Sequence, residues 1–262
     1  VSQFGYYVEP TYHESGLMVV PRDEFVHERW DYKKGEHVVF GGRSTGGKTR
    51  LCFDLLAVTC SPSLPAYVAQ SKPTDKETRE GAARLDLRVV QSWPPQKKIK
   101  EIEAFGGQKP RGYLVCPRFG DLNTDMQRCA EVTGALLDER YAAGARGQNG
   151  ILVMDDTMVK AKIMGLDSKM VTILAMAGAM GIGEWIFVQK PTDSGRTTLW
   201  GYENSIHCFF TKGGDAKMLA RYAEIGGEHS STIKEVVPTL QPYQFLYFHK
   251  TQGWICIVDK GE

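Results

Sequence analysis

The chain has 262 residues, a formal net charge of +1 and 42% hydrophobic residues. That is enough apolar material for a core, without the uniform basic field that marks a free-standing nucleic-acid binder. Six cysteines (Cys52, Cys60, Cys116, Cys129, Cys208, Cys256) form no CxxC pair and no Cys/His cluster, and none of the six histidines shows ligand spacing. The pattern argues against a disulfide framework or a zinc site and for reduced, mostly buried thiols. The longest weakly polar run, Val171 to Gly183, falls short of the about 20 residues that span a bilayer. With no signal-peptide pattern at the N-terminus, a soluble cytoplasmic protein without a membrane partner is expected.

Residues 1–34 are rich in aromatic residues and proline (Tyr6, Tyr7, Pro10, Tyr12, Pro21, Trp30, Tyr32) and hold no sustained period. They read as an arm or short hairpin, packed on the domain or on a neighbouring subunit. From Glu36 onward, short apolar runs alternate with helical stretches, the pattern of a mostly parallel sheet flanked by helices. The strand candidates are His37–Phe40, Ala66–Ala69, Leu87–Val90, Gly112–Cys116, Ile151–Met154, Trp185–Val188 and His207–Thr211. Nearly all are continuous apolar runs, as strands buried on both faces should be.

Between the first of these strands and the helix-like run Leu51 to Val58 lies GGRSTGGKT, which fits the phosphate-loop pattern through Gly42, Gly47, Lys48 and Thr49. Successive backbone N–H groups must curl around phosphate oxygens, and glycine permits the dihedrals and the close approach. The helix that follows aims its N-terminus at the anion. Gly42, Arg43, Ser44, Thr45, Gly46, Gly47, Lys48, Thr49 and Arg50 are therefore the candidate nucleotide-binding residues. Lys48 reaches the β and γ phosphates of ATP as a point charge, and the Thr49 hydroxyl is placed to hold Mg²⁺.

A basic stretch follows, with Lys97, Lys98, Lys100, Lys109 and Arg111, broken by Glu101 and Glu103. It reads as a solvated face or, at the rim of a pore, as a phosphate contact. Thr124 to Tyr141 places apolar residues at helical spacing, and Thr124 with Gln127 offers a capping box. Ile151–Met154 then runs into Asp155-Asp156. A buried strand thus delivers two carboxylates to its polar end: Asp155 for the metal through water, Asp156 to orient or deprotonate the attacking water. A capped strand end is the alternative. The Met- and Ala-rich run Leu174 to Met180 is expected to be a helix packed on the sheet. Trp185–Val188 ends in Gln189, either a reporter of the γ-phosphate or a cap on the sheet. A helix follows Asp215, stopped by Gly226-Gly227, and the chain closes with a hairpin, Phe245–His249 and Trp254–Val258.

The order GEHVVFGGRSTGGKT, ILVMDDT, GEWIFVQKPTD resembles the FtsK/HerA superfamily of P-loop ATPases, over roughly Gly35 to Ile225. The second strand and its loop, with Lys72 and Asp75 in SKPTD, are similar to phage and mobile-element members. The resemblance implies an α/β fold of the P-loop NTPase type (RecA-like, ASCE), with an N-terminal arm and a C-terminal β-hairpin around one motor domain, residues 35–262. It gives Gln189 the role of sensor. Two departures stand out. The family places Glu after the metal-binding Asp where this chain has Asp156. Ring-forming members complete each site with a neighbour's arginine, and no Arg follows Asp156 closely. Arg196 is the nearest downstream candidate, with Arg140 and Arg146 as rivals.

The reading that follows is an ATP-driven double-stranded DNA translocase acting as a ring (pentamer or hexamer). It would package a viral genome, with a portal- or capsid-type docking partner, or move DNA for a mobile element. In a ring, local positive loops such as those at Lys212-Gly213-Gly214 and Ser194 to Arg196 would sum around the duplex. The rival is a nucleotide-dependent switch that hydrolyses slowly and moves nothing, which the shorter Asp156 keeps open.

Overall fold

The computed structural model describes residues 10–43, 45–72, 75–95, 110–117, 120, 122–189, 195–213 and 215–260. Among the described residues one sheet of eleven strands forms the frame. The strands are β1 (Thr11–Tyr12), β2 (Met18–Pro21), β3 (His37–Gly41), β4 (Ala66–Ala69), β5 (Arg88–Val90), β6 (Gly112–Val115), β7 (Gly150–Met154), β8 (Ile182–Val188), β9 (Ser205–Thr211), β10 (Phe245–His249) and β11 (Trp254–Asp259). Their spatial order is β1-β2-β11-β10-β9-β3-β8-β7-β4-β6-β5. From β9 to β5 every pairing is parallel, whereas β10 is antiparallel to both β9 and β11.

The parallel strands are those with continuous apolar sequence, and β3, β4, β7 and β8 are buried along their whole length. Their side chains alternate between two cores. One, with Val39, Leu152, Met154 and Ile186, packs against α3 (Leu122–Ala145), α4 (Asp167–Thr172), α5 (Arg196–Asn204), α6 (Ala216–Gly226) and α7 (Ser230–Val236). The other, with Val38, Phe40, Val153, Trp185 and Phe209, packs against α1 (Lys48–Thr59), α2 (Lys76–Arg84) and the helical turns of 22–29. At about 1.5–3 kcal/mol for each fully buried large side chain, these two layers dominate the stabilising side.

The helix expected from Thr124 to Tyr141 runs from Leu122 to Ala145. Thr124 therefore lies inside the first turn of the helix, and Gln127 hydrogen-bonds Glu131 one turn on, at 3.0 Å. The run Leu174 to Met180 is helical but irregular, a π-helical turn at Ile173–Ala177 followed by a 3₁₀ turn, with Ile173, Leu174 and Ala177 buried. Helix α6 begins at its Asp215 cap, whose carboxylate accepts from Lys217 N and Met218 N, and stops at Gly227 with φ +54.

The N-terminal segment is a hairpin that joins the sheet, β2 lying parallel to β11. Behind it Phe25 is fully buried against the Tyr247, Phe209 and Trp254 rings, at 4.8, 5.8 and 6.0 Å between centroids. All six cysteines are free and buried. Glu36, His207 and His249, distant in sequence, meet at the opening edge of β9. His207 bonds Glu36 through Nε2 and Tyr247 through Nδ1, both at 2.9 Å. Among the described residues no helix is long and apolar enough to cross a membrane.

Candidate nucleotide site

Parallel strands point their C-terminal ends to one edge of the sheet, and β8 lies between β3 and β7. The register Gly41↔Val188 and Met154↔Ile186 therefore brings the phosphate-loop candidate, Gln189 and the Asp155-Asp156 turn together along that edge. Pattern-matched segments over a hundred residues apart become neighbours through strand order alone.

The loop leaves β3 at Gly42, whose φ of +124 a side chain rarely adopts, and enters α1 through Gly47 at φ +78. A Cβ on Gly42 would lie 1.8 Å from Thr211 Oγ1, and one on Gly47 would lie 2.6 Å from the Tyr243 ring. The loop is thus seated on the end of β9 and against Tyr243. Gly42 N–H donates to Val188 O at 2.9 Å, and Gly46 N–H to Arg43 O at 3.2 Å. Lys48, 5% exposed, turns its ammonium into the loop and donates to Gly42 O at 2.5 Å and Arg43 O at 2.6 Å. Burial pulls its pKa down to about 8, against the attraction of Asp156.

A cleft of about 420 Å³ opens in front of α1. Thr45, Gly47, Lys48 and Thr49 line it from the loop side; Asp155, Asp156 and Gln189 line it from the strand ends. Arg43 and Arg50 are exposed and outside the lining; Gly42, which is buried, and Gly46, which is half-buried, also lie outside it, turned towards Thr211. Ser44 lies outside the described residues, as do most of the basic stretch, residues 96–109, and the loop 190–194.

The two carboxylates are held in different ways. Asp156 adopts φ +40, a left-handed conformation that Asp tolerates better than most residues. Its Oδ1 accepts from Gln189 Nε2 at 2.6 Å and its Oδ2 pairs with Lys72 at 2.7 Å. Burial works against the Lys72 charge, but Asp156 outweighs it and raises the Lys72 pKa. Asp155 accepts from Ser71 Oγ at 3.0 Å and from Ser71 N at 3.4 Å, and pairs with the buried ammonium of Lys160. Thr49 and the two carboxylates supply hard oxygen donors around one cleft, a donor set that suits Mg²⁺ with several waters retained.

Of the arginines, Arg196 opens α5, is 64% exposed at its side chain, and pairs with Asp167 at 3.0 Å. It does not line its own chain's cleft. Arg140 is buried, with its guanidinium 4.4 Å from the Tyr67 ring centroid and hydrogen-bonded to Tyr67 and Glu139. Arg146 is exposed beyond α3, ahead of β7 and so at the opposite edge of the sheet. Four residues of this region escaped sequence reasoning: Lys160, Ser71, Thr211 and Tyr243. Tyr243, at φ +66 and 47% exposed, carried a local signal in its Gln-Pro-Tyr turn; its carbonyl accepts from Arg22 at 2.8 Å.

No protein-family model and no curated protein matches the chain. Solved structures do. The DNA-packaging ATPase B204 of Sulfolobus turreted icosahedral virus superposes with a TM-score of 0.56 at 15% identity, covering 87% of this chain and 98% of that one. The genome-packaging NTPase B204 of Sulfolobus turreted icosahedral virus 2, in complex with ATP-gammaS, does so with a TM-score of 0.56 at 12% identity, over 86% and 97%. The same protein in complex with AMPPCP gives 0.54 at 14%, again over 86% and 97%. At such identities the likeness speaks for the fold, and it agrees with the FtsK/HerA resemblance drawn from the sequence. The chain has the fold of a P-loop NTPase, over nearly the full length of the viral genome-packaging NTPases it superposes on.

Proposed function

We propose that the chain hydrolyses ATP and uses the reaction to move duplex DNA, working as a ring in genome packaging or in the transfer of a mobile element. The observation that carries the enzymatic part is the convergence of Lys48, Thr49, Asp156 and Gln189 on one cleft at the N-terminus of α1. Backbone N–H groups at the cleft-lining end of the loop, Gly47 to Thr49, with the helix end behind them, cradle the phosphates. Lys48 turns from the carbonyls of Gly42 and Arg43 to the β and γ oxygens, where its charge is neutralised by a better partner. Thr49, and Asp155 through water, would hold Mg²⁺, which neutralises charge on the phosphate oxygens. Asp156 orients the attacking water and takes its proton. Gln189 gives up its 2.6 Å bond to Asp156 when the γ-phosphate arrives, so that the state of the nucleotide changes the end of β8. Arg196 is the candidate contributed to a neighbouring site, at the cost of its pair with Asp167.

DNA as the substrate rests on the likeness to packaging NTPases and on the resemblance of the motif order. The deciding measurement is ATPase rate with and without duplex DNA across a protein dilution series, repeated with Arg196→Ala subunits mixed into the unaltered protein. Stimulation by DNA, loss of rate on dilution and a loss on mixing steeper than the mole fraction are expected. A rate indifferent to DNA and linear in composition would replace the translocase with a slow switch, a reading favoured by the lysine cap on each carboxylate.

A further inference from the structure

Lys160 has no part in the chemistry above, yet it is the most deeply placed charge in the region, with its side chain 0% exposed. It sits on the irregular turn Val159–Ile163 that follows the two carboxylates. An ammonium has three protons to donate, and here three acceptors meet it: Asp155 Oδ1, Asp155 O at 2.5 Å, and Ser71 Oγ at 3.2 Å. Ser71 in turn donates to the Asp155 carboxylate. The group is a closed network tying the end of β4 to the end of β7, and its formal charges cancel.

We propose that Lys160 is a built-in counterion for Asp155 that keeps a free divalent cation out of the cleft, so that the metal enters only with the nucleotide; this rests on the nucleotide-binding reading above. The physical argument lies in the contrast with Asp156. Its partner Lys72 is 55% exposed and can swing into water at little cost. Lys160 cannot leave Asp155 without stranding a buried charge. A carboxylate already neutralised at contact distance has little attraction left for a hydrated dication, which surrenders its waters reluctantly. Triphosphate oxygens supply the missing negative charge, and Asp155 then acts through water from Oδ2, the oxygen that Lys160 leaves free.

The test is Mn²⁺ binding by electron paramagnetic resonance on the full chain without nucleotide, beside binding of a fluorescent ATP analogue with Mn²⁺. The unaltered protein is expected to bind the analogue but to show, without nucleotide, no saturable Mn²⁺ site that Asp155→Asn removes; any Mn²⁺ held by Glu36, His207 and His249 would be indifferent to that change. Lys160→Met should bind Mn²⁺ without nucleotide at least about tenfold more tightly. Asp155→Asn/Lys160→Met should lose that site, and Lys160→Arg should behave as the unaltered chain. Equal Mn²⁺ affinity in Lys160→Met and the unaltered chain would overturn the proposal. So would a nucleotide-free Mn²⁺ site in the unaltered chain that Asp155→Asn abolishes, a result that stands even if Lys160→Met does not fold. Failure of the unaltered chain to bind the analogue at all would instead bring down the nucleotide reading.

Discussion

The parallel and antiparallel parts of this one sheet meet at β9 and do different work. In the parallel part, from β9 to β5, all strand ends point one way, so Gly42, Gln189 and Asp155 arrive at a single edge together with the N-terminus of α1. In the antiparallel part, β9, β10 and β11 reverse in turn, so their C-termini fall at alternating edges. That part is held by rings: Phe25 on Tyr247 at 4.8 Å, Phe209 on Tyr247 at 4.8 Å, Tyr247 on Trp254 at 5.3 Å. Its contribution to the cleft is a wall, Tyr243, on the turn that enters β10. Chemistry collects where directionality repeats, and rigidity comes from where it alternates.

Substitutions in the two parts should therefore separate binding and turnover from stability. The largest effect is expected from Lys48→Ala, which should abolish tight binding of a fluorescent ATP analogue while leaving the thermal unfolding midpoint unchanged or slightly raised, since a buried charge is removed. A folded variant that still hydrolyses ATP at the original rate would sink the phosphate-loop assignment. Asp156→Asn should keep nucleotide binding and lower turnover by about 10²–10⁴-fold, read by steady-state phosphate release. In the antiparallel part, Phe25→Ala should cost about 3–5 kcal/mol in urea unfolding and leave the analogue affinity of the folded fraction intact. Lost affinity without lost stability would show that the rings reach the site.

Smaller effects sharpen the same contrast. Gln189→Ala removes one of two anchors of Asp156 and should reduce turnover by about tenfold, the size of one modest hydrogen bond, with no change in unfolding. The smallest effect concerns pH. Burial lowers the Lys48 pKa from 10.5 to about 8, so its charged form costs the folded state stability below pH 8. That cost fades as pH climbs from 8 towards 10.5. Phosphates favour the charged ammonium, so nucleotide binding above pH 8 must take up a proton, and affinity should fall by up to about tenfold per pH unit there. Calorimetry in buffers of different ionisation enthalpy reads the proton directly, and no uptake at pH 9 would contradict the burial of Lys48.

Much of the parallel part was legible because each strand is a run of apolar residues with its functional group at the end. The continuous runs at His37, Ala66, Ile151 and Trp185 all became strands, and the glycine and carboxylate patterns fell at their C-terminal ends. What stayed hidden depends on contacts between residues far apart. Ser71 and Lys160 are 89 positions apart and Arg22 and Tyr243 are 221, so no local period announces either pair. The N-terminal segment was legible as an arm or short hairpin but not as part of the sheet, because β1 has two residues and β2 four, too few to establish alternation. None of Arg140, Arg146 and Arg196 lines the cleft, and an arginine that completed a neighbour's site would leave no mark in its own chain's cleft.

Among the described residues the sheet ends on one side in the two-residue β1 and on the other in the three-residue β5. Strand-by-strand extension needs a longer run of unpaired N–H and C=O groups than either edge offers. A union between copies through these two described edges would be made by side chains, with no backbone ladder to lock the register. Such a joint can slide or rock by small steps without breaking a cooperative row of hydrogen bonds, which is the mechanical freedom that subunits taking turns around a common axis would need.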